Sequence, residues 1–163
     1  MATITSIIAA VATVLEGVTG IGRVNQYERY FENMSGFQGF HGVTEGGTPV
    51  INSATVSLSA IRPAATKMRR GGSAITQLKE RTVEIKLIRG QSDAEASQIK
   101  LAELADAVFD AFDTDAAHAA LAVLGLEYEP PEIATIGLAG YGNPPFIVVN
   151  QAVVTLNLRE VLS

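Results

Sequence analysis

Apolar residues recur at helical spacing in the first segment, where Ile4, Ile7, Ile8, Val11, Val14 and Leu15 follow an i, i+3, i+4, i+7 pattern. Thr3 or Thr5 can cap its start and Gly17 can end it, which predicts an amphipathic helix over 4–16. Arg23-Val24-Asn25-Gln26-Tyr27 is a candidate short strand. Residues 33–49 are rich in Gly, Ser and Thr and read as a loop. Its Phe37 and Phe40 are either anchored on the body or waiting for a partner. Val50 to Ile61 then alternates, with Ile51, Ala54, Val56, Leu58 and Ala60 on one face. Thr82 to Ile88 alternates too, with Val83, Ile85 and Leu87 on one face and Glu84, Lys86 and Ile88 on the other. Between these runs lies a basic tip from Arg62-Pro63 to Gly71-Gly72-Ser73. The prediction is two antiparallel strands joined by a long, mobile hairpin loop over 62–79.

Ser92-Asp93-Ala94-Glu95 has the form of a capping box. The helix it opens keeps Leu101, Leu104, Ala105, Val108 and Phe112 on one stripe, with Glu103, Asp106 and Asp110 outside it. A shorter helix over about 116–124 stops at Gly125. Ile133 to Leu138 reads as a strand, and Phe146 to Arg159 as the longest one, alternating Val154, Leu156 and Leu158 against Thr155, Asn157 and Arg159. The predicted class is α+β: a mostly antiparallel sheet of about four or five strands, packed against an N-terminal and a central helix. No internal repeat or linker interrupts residues 1–163, so a single domain is expected.

Composition sharpens this picture. The chain of 163 residues is 47% hydrophobic and only 18% charged, which excludes disorder as the main state. With no cysteine, it has no thiol chemistry, zinc ribbon or disulfide framework. No stretch is long and apolar enough for a membrane span. The N-terminus lacks the basic start of a signal peptide, so an intracellular folding compartment and no membrane contact are expected. The net charge is −5, which argues against a general nucleic-acid binder. From Arg62 to Arg89, however, eight basic residues face only Glu80 and Glu84, leaving +6 there and −11 on the remainder. That polarity suits a subunit meeting a differently charged neighbour.

Catalytic patterns are sparse. His41 and His118 have no second histidine at metal-ligand spacing, so neither a metal nor a cofactor is expected. No Gly-x-Ser-x-Gly motif or phosphate-binding loop occurs. Asp113-Thr114-Asp115 lacks the glycine and final glutamate of a calcium loop. Asp106 and Asp110 lie one turn apart on a wet face, where carboxylates do little chemistry. The stretch from Arg62 to Arg89 contains no aromatic residue for stacking bases. The expectation is a protein that is not an enzyme and has no catalytic residues.

The segment Glu80-Arg81-Thr82-Val83-Glu84-Ile85-Lys86-Leu87, followed by Ser92-Asp93-Ala94-Glu95-Ala96-Ser97 and the helix to Phe112, resembles the tail terminator proteins of long-tailed bacteriophages. In that family an N-terminal helix leads to a strand and a long hairpin; the hairpin's second strand runs into a helix, and a final long strand closes the sheet. The resemblance implies a homohexameric ring that caps the tail tube, ends its elongation and meets the head–tail connector or neck protein. Genomic DNA would only pass through the lumen, and the protein would be assembled in the host cytoplasm into the virion. On this reading the basic loop, with Arg62, Lys67, Arg69, Arg70 and Lys79, is the first expected interface. Phe37 and Phe40 are the second. Alternatives are a neck, head-completion or tail-tube protein of the same virion, and a small soluble binding module with an apolar pocket around His41 or Tyr141.

Overall fold

The computed structural model describes residues 2–63, 79–91, 94–142 and 144–160. Among them the elements run α1 (Ile4–Glu16), β1 (Val24–Asn25), α2 (Met34–His41), β2 (Gly42–Glu45), β3 (Thr48–Pro63), β4 (Lys79–Gly90), α3 (Ala94–Phe112), α4 (Asp115–Ala122), β5 (Leu126–Tyr128), β6 (Glu132–Tyr141) and β7 (Ile147–Glu160). The fold is mixed α+β, built on a mostly antiparallel sheet, in agreement with the pattern of the sequence. Seven described strands take part, because β2 and β5 add short pairings that no periodicity announces.

The sheet follows the order β1-β3-β4-β7-β5, with β2 also beside β3 and β6 also beside β7. The hairpin is antiparallel as expected, with Asn52 opposite Arg89 at one end and Pro63 opposite Lys79 at the other. β4 then pairs antiparallel with β7, from Glu80–Arg159 to Gly90–Val149. Strand alternation sends Ala54, Val56, Val83, Ile85, Leu87, Ala152, Val154, Leu156 and Leu158 to one face. There they meet Ile7, Val11, Ala12 and Leu15 of α1, the α3 stripe, and Ala117 and Leu121 of α4. Thr3 caps α1, its side chain accepting from the Ser6 amide at 3.1 Å. Thr114 does the same for α4 from the Ala117 amide, so Asp113-Thr114-Asp115 is a helix boundary.

The opposite face carries a second, smaller cluster: Phe31, Phe37, Phe40, Ile88 and Val149, with Ile51, Tyr141, Phe146 and Ile147 packed on it. This corrects the expected loop over 33–49, which contains α2 and β2. Asn33 caps α2, accepting from the Gly36 amide at 2.9 Å. Gly36 and Gly39 weaken the helix locally, but Phe37, Phe40 and His41, at i, i+3 and i+4, bury one face of it. Helix passes to strand at Gly42, where a Cβ would collide with the Gln38 carbonyl oxygen.

Candidate functional site

The aromatic cluster is the most chemically loaded region. Phe37 stands at its centre, with ring centroids 4.5 Å from His41, 4.9 Å from Tyr141 and 5.2 Å from Phe31. Phe37 is fully buried and Phe40 nearly so. Of the two expected alternatives, anchored on the body or waiting for a partner, the structure has the first, on a helix in place of a loop. The physical reason is that α2 carries both rings on the face it packs against Phe31, Tyr141 and the sheet.

His41 is only 3% exposed, and its Nδ1 lies 2.7 Å from Ser53 Oγ. Burial, aided by the positive charge of Arg23, lowers its pKa to about 4. Glu45 does not pair with it; the carboxylate accepts instead from Asn52 Nδ2 and Arg89. Tyr141 donates to Gln151 Oε1 at 2.7 Å, and burial, then the negative charge of Glu28, push its pKa up to about 12. Beside these groups a cavity of about 60 Å³ is lined by Glu28, Phe40, His41, Thr55, Lys86 and Tyr141. That volume holds a few waters. Thr55 Oγ1 is buried there with no hydrogen-bond partner among the described residues. Ser53 is fully buried, so its contact with His41 is a core hydrogen bond.

The neutral His41 makes the fold acid-sensitive in a defined direction. In the unfolded chain the imidazole takes a proton near pH 6.5, but in the folded chain only near 4. Between those values the unfolded state binds more protons, so stability is full above pH 6.5 and falls as pH drops toward 4, by ~3 kcal/mol in all. Urea midpoints between pH 7 and 4 should show this slope, and His41→Gln should flatten it. Parallel pH profiles for the two proteins would refute the assignment.

The other candidates do not converge. His118 lies on α4, on the far face of the sheet from His41, and stacks flat on Tyr128 with centroids 4.3 Å apart. Asp106 and Asp110 are exposed on α3. Among the described residues no group of three or more metal-ligating side chains comes together, and no helix is long and apolar enough to cross a membrane. A shallow groove of about 540 Å³ beside β2 has one charged lining residue, Arg23, which donates to the Gly39 and Phe40 carbonyls.

Of the basic residues, Arg62 and Lys79 stand exposed at the root of the hairpin, while Lys67, Arg69 and Arg70 lie outside the described residues. Three more of the positive stretch are neutralised within the fold: Arg81 by Glu160 at 2.8 Å, Arg89 by Glu45 at 3.2 Å, and Lys86 by Glu28. The charge asymmetry along the chain is thus much reduced in space, because strand pairing brings distant acids beside these bases.

A feature no motif signalled lies at the sheet margin. β6 pairs with β7 on one edge, and no described strand covers the other. After Glu132 its nine residues contain no charge and no proline. Ile133, Ile136 and Leu138 share the helix side of the sheet, as their partners Val154, Ala152 and Asn150 show, and they are 38%, 42% and 66% exposed. Val148, on the same side of β7, is also exposed. The sequence held this signal in its uncharged strand, but only the strand order shows that the strand is an edge. No protein-family model matches the chain, and no curated protein matches it.

Proposed function

We propose that this chain is a structural subunit that assembles head to tail into a closed ring, and that the ring caps a phage tail tube, a reading supported by its resemblance in element order to tail terminators. The observation that carries the reading is the bare β6 margin. A long, apolar edge strand with no charge beyond its first residue is an association hazard that monomeric proteins blunt with charges, prolines or a covering segment. Here no described strand pairs with that edge, and three large, exposed aliphatic side chains lie along it. Such a surface supports pairing with another chain. The exposed Arg62 and Lys79 at the root of the hairpin support polar contacts as well, with a neighbouring subunit, the tube or the connector.

Light scattering on a sizing column tests the reading. The expected result is a discrete species six times the 17.2 kDa chain mass, constant over protein concentration. It should bind isolated tail tubes and stop them from growing. Polymers that lengthen with concentration would favour a tube subunit. A monomer at every concentration that ignores tail tubes would reject the assembly reading.

A further inference from the structure

The sheet has a second unpaired margin. β1 covers β3 only at Ala54 and Thr55 and β2 only from Thr48 to Ile51, so the outer edge of β3 is free of described strands from Val56 onward. Ile61 on that stretch is 51% exposed. From β3 through β4 and β7 to β6 every pairing is antiparallel, so β3 and β6 run in opposite directions. A second copy set beside the first in the same orientation therefore brings its β3 antiparallel to the free edge of β6.

The two edges also match in phase. Each strand shifts register once against its inner neighbour, β3 between Leu58 and Ala60 and β6 between Ile133 and Thr135. The shift leaves two residues between successive helix-side positions, Leu58 and Ile61 on β3 and Ile133 and Ile136 on β6. Set antiparallel with Ile133 opposite Ile61, the strands place Ile136 opposite Leu58 and Leu138 opposite Val56, all on the helix side. On the other side Glu132 falls opposite Arg62. Both are exposed, and neither forms an ion pair with a described residue. A slip of one residue would turn the aliphatic row against the polar one. Pairing β6 with β6 of a second copy keeps phase only beyond Ala134 and gives Glu132 no cation, because β6 has none.

We propose that the subunits join by sheet continuation, with Glu132–Leu138 of one copy adding antiparallel to Val56–Arg62 of the next and Glu132 meeting Arg62. The partner is thus a second copy of this chain, and the contact is heterologous, which is the condition for a ring. The inference rests on the ring reading above and adds the seam.

Opposite residues in an antiparallel pair lie about 4.5–5.5 Å apart at Cα, within disulfide range. The chain has no cysteine of its own. Ile61→Cys combined with Ile133→Cys should, on oxidation, give a ladder of covalent species on a denaturing gel, ending at the size of the ring. Each single variant should stay uncross-linked. In a second test Glu132→Arg should weaken assembly roughly tenfold, and adding Arg62→Glu should restore it. Dimers from Ile133→Cys alone, or an intact ring that neither cross-links nor responds to the charge reversal, would overturn the seam and leave the ring reading standing. A wild-type chain that is monomeric with and without tail tubes would overturn both.

Discussion

Arg81→Ala should lower the unfolding free energy by about 3–5 kcal/mol, the cost of leaving a buried charge without its partner. Arg81 continues the inward alternation of Val83, Ile85 and Leu87 on β4, beside Ile61 and Leu158 in register. It is therefore a charge on the helix side of the sheet, 4% exposed. Its Nη2 lies 2.8 Å from Glu160 Oε1, whose side chain is itself only 12% exposed. Among the described residues neither Arg81 Nε nor Nη1 has a hydrogen-bond partner, and the contact with Oε1 has the distance of an ion pair without hydrogen-bond alignment. An ion pair so poorly satisfied gains little over an apolar pair, whereas removing one member strands the other. Arg81→Met combined with Glu160→Leu should recover most of the loss. Urea unfolding of the three proteins measures both effects. A single variant within 1 kcal/mol of the parent would show that Glu160 finds water instead.

Phe37→Ala should cost a similar amount, about 3–5 kcal/mol, from lost transfer energy and the cavity left behind. Phe37 is fully buried and meets aromatic rings contributed by α2, by the segment before it, by β6 and by Phe146, just ahead of β7. Edge-on and tilted ring contacts of this kind add about 0.5–1.5 kcal/mol each beyond area burial. The loss should be local first: α2 has two glycines in eight residues and keeps its helix through this packing. Amide exchange is expected to rise over residues 34–45 well before it rises in α1 or α3. Equal loss of protection in all three would show one cooperative core in place of two.

Much of this fold is legible along the chain. The 3.6-residue stripes of α1 and α3 and the two-residue alternation of β3, β4 and β7 appear in the structure close to the expected bounds, because each element buries one face and the burial writes a period into its residues. β6 was legible as a strand for the same reason. α2 was not: its signal was three residues, Phe37, Phe40 and His41, set among glycines that favour a loop. β2 and β5 are too short to carry a period. The positive run from Arg62 to Arg89 shows the limit from another side. Charge order along a chain says nothing about which acid folds against which base, and the partners Glu28, Glu45 and Glu160 come from β1's flank, β2 and the end of β7.

The margin of the sheet marks the same boundary. Residues 132–141 hold the same amino acids whether the strand lies inside the sheet or at its rim, and an uncharged apolar run suits a central position best. Strand order alone places β7 inside and β6 outside, and so turns Ile133, Ile136 and Leu138 from core residues into surface. Local periodicity specifies which face of a strand is apolar, because neighbouring side chains set it. Which strand is left with an open edge depends on pairings between residues far apart in sequence, and those come into being only when the chain folds.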